Sequence, residues 1–261
     1  MNKKQLHNLF YDGFNSKLIE TADFDGFYEI PMLKKCTDLI IPTCAVPYSK
    51  VKYSSKEERK LLVFYEKDPN FRDFISVPQE HLDDICDFKI VSTPDCSLYR
   101  DMPFNYQIAN IGVSRSIGVF LQNNGKLVYP NVRWGDERTY KRIHGEKPIS
   151  FAGIPKGNIV TIGTYGCSKN KEDKYHLQAG LEVMLNELEP KAVIVYGSMP
   201  KIIFDPYLGY TDFYHKLVEV AWKDFNEKEH PVHQLAPLAV MFMFLTGVRV
   251  LLTFHPDKLR S

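Results

Sequence analysis

The stretch IVTIGTYGCSKNKEDKYHLQAGLEVMLNELEPKAVIVYGS, residues 159–198, reads as strand, loop, helix and strand. IVTIG and AVIVY are short apolar runs, rich in β-branched residues, that halt at turn chemistry, which is how a strand buried on both faces reads. Between them Leu177, Leu181, Met184, Leu185 and Leu188 recur at helical spacing over about residues 171–189, and Pro190 ends the helix. Strand-helix alternation without a hairpin turn argues for parallel strands. The glycine-bearing signatures GTYGC and YGS therefore mark carboxyl ends, the edge at which parallel α/β folds bind ligands.

The same pattern extends in both directions. FKIVSTPD (88–95) and KLVYPNVRWGD (126–136) are apolar runs with polar endings, and LIIPTC (39–44), KLLVFYEKD (60–68) and VRVLLTF (248–254) are further strand candidates. Helix-capable segments separate them: short pieces within 70–87, a helix over about 105–122 stopped by Asn123, Asn124 and Gly125, DERTYKRI (136–143), 212–224 and 238–246. The expected fold is α/β, a parallel sheet of about seven strands with intervening helices. A barrel-like closure, TIM-type or an incomplete form of it, is favoured over an open doubly wound sheet. Functional-looking residues follow nearly every strand instead of gathering at one switch point. Residues 1–34 read as an N-terminal extension and 35–261 as one α/β domain.

Composition narrows the function classes. The 261 residues, 44% hydrophobic and 25% charged, suffice for a full core. A net charge of +1 removes any field-wide argument for nucleic-acid or anionic-membrane binding, though not a local basic patch. Five widely spaced cysteines without a C-x-x-C pair suggest reduced thiols and a cytoplasmic protein, and MNKKQLHNLFYDGF lacks the apolar core of a secretory signal. The apolar run 235–254 approaches a membrane span in length, but Pro237, Gly247 and Arg249 interrupt it, so a core helix and strand are expected and no membrane partner.

The predicted carboxyl edge collects the candidate site. Asp95, Asp136 and Arg133 are the candidate catalytic groups: a carboxylate on strand-end backbone can act as base, nucleophile or metal ligand, and an arginine can clamp an anion. Their structural alternatives are a turn or cap at Asp95 and an Asp95–Arg133 ion pair that only closes the rim. Trp134 offers a stacking face for a base or sugar, or a wall packed on the next helix. Gly163, Thr164, Tyr165, Gly166 and Ser168 form a candidate phosphate cradle ahead of a helix start, with an ordinary turn capped by Ser168 or Asn170 as the alternative. Tyr196, Gly197 and Ser198 repeat that pattern, without a G-x-S-x-G elbow. Cys167 reads either as a nucleophile at a helix start or as a small buried hydrophobe. No metal ligands are assigned. His230 and His233 lack a third partner, and a divalent cofactor is left open by the two carboxylates alone.

The blocks IPTCAVPYSK, PDCSLYRDMPFNYQ, PNVRWGDERTY, GTYGCSKNKED and IVYGSMP resemble the hallmark blocks of domain-of-unknown-function family 4417, over about residues 35–205. The resemblance implies a prophage or mobile-element context and a cytoplasmic protein. It sets Asp95, Tyr99, Arg100, Asp101, Asn105, Arg133, Asp136, Gly163, Gly166, Tyr196 and Gly197 in matching blocks, and it carries over no activity. The tail after about residue 230 departs from the family pattern. Two function classes follow. The favoured one is an enzyme, a hydrolase or transferase, whose partner is a nucleotide, nucleoside or other phosphorylated small molecule. The other is a nucleic-acid or protein-interaction module using Arg138, Lys141, Arg142 and Lys147 beside Trp134 and Tyr140.

Overall fold

The computed structural model describes residues 16–36, 38, 40–54, 60–207 and 248–252. A short antiparallel pair, Phe24–Asp25 (β1) and Ile30–Pro31 (β2), precedes a parallel sheet of Cys44–Pro47 (β3), Lys60–Val63 (β4), Ile90–Ser92 (β5) and Leu127–Tyr129 (β6), in the order β3-β4-β5-β6. Ile159–Gly163 (β7) and Ala192–Tyr196 (β8) pair parallel, and Val248–Leu252 (β9) pairs antiparallel to β8. A single parallel bridge, Asn131 to Thr161, connects the two ladders, with Val132 N–H to the Thr161 carbonyl and Thr161 N–H to the Pro130 carbonyl both at 2.8 Å.

The α/β class is as expected, and three particulars differ. Among the described residues there is a four-stranded parallel sheet and a separate three-stranded ladder, not one sheet of seven, and no barrel closes. The last strand runs antiparallel, and an apolar run such as VRVLL carries no direction of its own from which that could be read. The strand expected at 39–44 forms at Cys44–Pro47, beyond Pro42, whose ring removes a ladder donor.

The helices are Arg72–Ser76 (α1), Phe104–Asn123 (α2), Glu137–Tyr140 (α3), Lys171–Leu188 (α4) and Lys201–Phe204 (α5). Helix α2 stops where Gly125 takes φ +76°, a left-handed conformation that glycine enters without strain. Its residues Ile117, Phe120 and Leu121 cover one sheet face at Leu62, Phe64, Val91 and Val128. On α4, Leu177, Leu181, Met184 and Leu188 cover Val160, Ile162, Val193 and Val195, as the spacing predicts, with Leu185 only partly buried. Side chains alternate across a strand, so the intervening residues Leu61, Val63, Ile90, Tyr129, Ile159 and Ile194 turn the other way and share one core. Both ladders thus line a common interior with helices outside. Residues 16–34 pack on α2: Leu18 enters its sheet-facing core, and the Lys34 backbone exchanges two 2.9 Å bonds with the Gln122 side chain.

No helix among the described residues is long and apolar enough to cross a membrane. The helices expected at 212–224 and 238–246, with His230 and His233, lie outside the described residues.

Candidate functional site

Extended backbone beyond β6 places Tyr129, Asn131 and Arg133 on one face, at every second residue, and this alternation builds the site. A cleft of about 690 Å³ opens where β4, β5 and β7 also end. Asp95, only 3% exposed, accepts from Asn131 Nδ2 at 2.8 Å and from Arg133 Nε at 2.9 Å on Oδ1, while Arg133 Nη2 closes on Oδ2. Arg133 Nη1 donates to Cys167 Sγ at 2.9 Å. Behind them the Tyr65 hydroxyl donates to Asn131 Oδ1 at 3.0 Å. Burial works against the Arg133 charge, yet Asp95 and then Cys167 outweigh it and push its pKa above the ordinary arginine value. Burial first, and Asp95 next, hold the Tyr65 phenol well above its usual range.

Of the candidate residues, Asp95, Arg133, Trp134, Gly163, Tyr165 and Gly166 line this cleft together with Cys167. Thr164, Ser168, Tyr196, Gly197, Ser198 and Asp136 do not. Gly163 makes room for a ring: a Cβ there would stand 2.4 Å from Tyr65, which stacks on Tyr196 with centroids 5.2 Å apart. Thr164 ties two strand ends together, its N–H to the Tyr196 carbonyl at 3.0 Å and its hydroxyl to the Ser198 carbonyl at 2.6 Å. Gly197 lies against that hydroxyl, with φ +111°.

The start of α4 is already satisfied. Asn170, not Ser168, is its cap: Asn170 and Asp173 form a reciprocal capping box, and Glu172 and Asp173 put negative charge in the first turn. Arg100 pairs with both of those acids. An anion at the helix start would meet these carboxylates. The loop amides of Thr164 and Cys167 are likewise engaged within the chain.

Asp136 caps α3, accepting from the Arg138 amide at 3.0 Å and from its guanidinium at 2.7 Å. Burial opposes its charge, but the Arg138 bonds prevail and hold the carboxyl below its usual range. Trp134 is a wall residue: its Nε1 donates to the His176 carbonyl at 2.9 Å, and its ring fills the space left by Gly180. The basic stretch beside it is spent on ion pairs, Arg138 with Asp136, Lys141 with Glu137, Arg142 with Glu187 and Lys147 with Asp25.

Three site residues escaped the sequence reading. Asn131 and Tyr65 hold the carboxylate and its neighbour, and the signal was a polar group at an inward position of an apolar run. Arg115 is fully buried and donates to the carbonyls of Ala152, Asn131 and Ser150 at 3.0 Å each. Its signal was a lone charge on the apolar face of α2. Among the described residues no three His, Cys, Asp or Glu side chains gather in a group that could hold a metal ion.

The chain is 29% identical over 237 residues to the Gene 1 protein of Mycobacterium phage D29, covering 85% of this chain and 80% of that one. It is 28% identical over 196 residues to the Gene 1 protein of Mycobacterium phage L5, covering 72% and 79%. No solved structure matches. The model of the family described as a domain of unknown function (DUF4417) matches residues 22–214, most of the chain, and the protein belongs to that phage-associated family.

Proposed function

We propose that this protein is an enzyme, a hydrolase or transferase, acting on a phosphorylated small molecule bound in the carboxyl-edge cleft. In this reading Arg133 meets the substrate's anion and Asp95 positions Arg133. One observation carries it: a guanidinium lining the cleft is locked in orientation by a buried carboxylate. Its Nη1 and Nη2 each keep a hydrogen beyond those given to Cys167 and Asp95, and a donor fixed in advance stabilises developing charge without reorganising. Lys67 and Lys169 line the same cleft, are exposed, and make no ion pair among the described residues. They supply the positive charge that the capped start of α4 does not.

Strands β3 to β8 run parallel in chain order and share an interior, and the Tyr65–Tyr196 stack joins the ends of β4 and β8. Both features support an incomplete barrel. Five free cysteines suit the reducing cytoplasm of a phage host.

The test is calorimetric titration with ribose 5-phosphate at low salt. Saturable binding by wild type, weakened about tenfold by Lys67→Ala/Lys169→Ala, supports the reading. Absence of binding by wild type at millimolar ligand removes it.

A further inference from the structure

We infer that the substrate carries a nucleobase, which stacks on Tyr99 and Tyr165 at the mouth of the cleft. The inference rests on the reading above and adds the substrate class. Tyr99 is 61% exposed and Tyr165 79% exposed, and both line the cleft. Their rings stack on no other ring and their hydroxyls bond to nothing among the described residues, whereas Tyr65, which also lines the cleft, is stacked on Tyr196. Other exposed aromatic rings, such as Tyr53 and Tyr106, lie away from the cleft, whereas these two line one cleft together.

The backbone beneath each ring is fixed. Two residues before Tyr99, the Ser97 hydroxyl donates to Asp68 at 2.7 Å, and the Tyr99 carbonyl accepts from the Met102 amide at 3.0 Å. Tyr165 follows Thr164, which is tied to β8. Two aromatic planes from different strand ends are thus presented on anchored loops. An aromatic side chain has few torsions to freeze, and every base offers a π-face, so this is the chemistry by which bases are held irrespective of sequence. The cations Arg133, Lys67 and Lys169 line the same cleft, together with the carboxylates Glu66, Asp95, Asp101 and Asp173, of which Asp95 pairs with Arg133, Asp173 with Arg100, and Glu66 accepts from Ser49. Aromatic faces and cations in one cleft match the base and phosphate of a mononucleotide, and a volume of about 690 Å³ accommodates one. Ser97, Arg100 and Asp101 also line the cleft and carry hydrogen-bonding groups that can read a base edge.

The experiment compares ribose 5-phosphate with the 5′-monophosphates of adenosine, guanosine, cytidine and uridine by calorimetry. In wild type at least one mononucleotide should bind about tenfold or more tighter than ribose 5-phosphate. Tyr99→Ala/Tyr165→Ala should erase the advantage of the nucleotides over ribose 5-phosphate measured on the same variant, and Tyr99→Phe/Tyr165→Phe should keep it. Equal affinity for ribose 5-phosphate and nucleotides in wild type, or an advantage that survives the alanine variant, overturns the nucleobase and leaves the phosphate reading standing. Binding of neither ligand class overturns both.

Discussion

Arg133 grips Asp95 with two donors, Nε on one carboxylate oxygen at 2.9 Å and Nη2 on the other. The fork fixes both side chains at once, because two parallel bonds leave no free rotation about either. Asn131 takes a further lone pair on Oδ1. A carboxylate so engaged suits orienting a cation better than taking a proton, which is why Asp95 is assigned as a positioning residue.

Asp95→Asn is therefore expected to cost stability. It leaves the guanidinium facing a neutral amide. Breaking a buried pair costs about 3–5 kcal/mol, and the one-fifth exposure of the Arg133 side chain puts this case at about 3 kcal/mol. The melting temperature should fall by roughly 6–12 °C. Asp95→Leu/Arg133→Met, which removes both charges, should be more stable than Asp95→Leu alone. Additive losses in that cycle would refute a coupled pair.

Gly180 and Gly166 should respond to alanine in opposite ways. At Gly180 a Cβ would stand 2.3 Å from Trp134 Nε1, so the ring must move although alanine favours a helix by about 1 kcal/mol. A net loss of about 1–3 kcal/mol, with a shifted tryptophan emission, is expected for Gly180→Ala. Gly166 has open space around its Cβ position but φ +81°, so Gly166→Ala costs about 1 kcal/mol through backbone strain, with unchanged emission. Equal emission spectra for the two variants would show that Trp134 is not held by Gly180.

The sequence made the strand ends legible because apolar runs with polar terminators follow from burial itself. It placed Asp95, Arg133 and Gly163 at one edge through parallel direction alone, and the parallel pairing of β5 with β6 and of β7 with β8 agrees. What it left open was how a polar group spends its bonds. Asp136 and Asp95 look alike as strand-end aspartates, yet one caps α3 and the other meets Arg133. GTYGCS looks like an anion loop, but its helix start is filled by the chain's own Asp173. The Asp95 choice depends on Arg133, distant in sequence, which local pattern does not encode, whereas the caps at Asp136 and Asn170 are local alternatives that the pattern offered without deciding between them.

Arg115 should be among the least replaceable residues. It is fully buried, makes no ion pair with a carboxylate among the described residues, and burial lowers its pKa to about 10. Its three bonds to the carbonyls of Ala152, Asn131 and Ser150 tie the loop after α3 to the backbone that carries Arg133. Arg115→Met removes the charge but orphans three carbonyls, at about 1 kcal/mol or more each, so a loss of at least about 3 kcal/mol in urea unfolding is expected. Arg115→Lys should recover little, since an ammonium cannot reproduce the planar fork. A loss below about 1 kcal/mol for Arg115→Met would mean that water replaces the guanidinium.

Cys36 should make stability depend on alkaline pH. Its thiol donates to the Val128 carbonyl at 3.0 Å, and burial, with Asp38 adding to it, pushes its pKa up from 9.0 to about 11. The folded chain keeps this proton where the unfolded chain gives it up. The contribution is therefore complete below about pH 9 and is lost as pH rises through about 11. In urea unfolding the gap between wild type and Cys36→Ala should narrow from pH 8 to pH 10.5, since the variant lacks the titrating group. Labelling should agree: at pH 8 only roughly one Cys36 thiol in a thousand is thiolate, so iodoacetamide should modify exposed Cys86 well before Cys36. A gap that stays constant across that pH range, with Cys36 labelled as fast as Cys86, would show that the thiol is neither buried nor bonded to Val128.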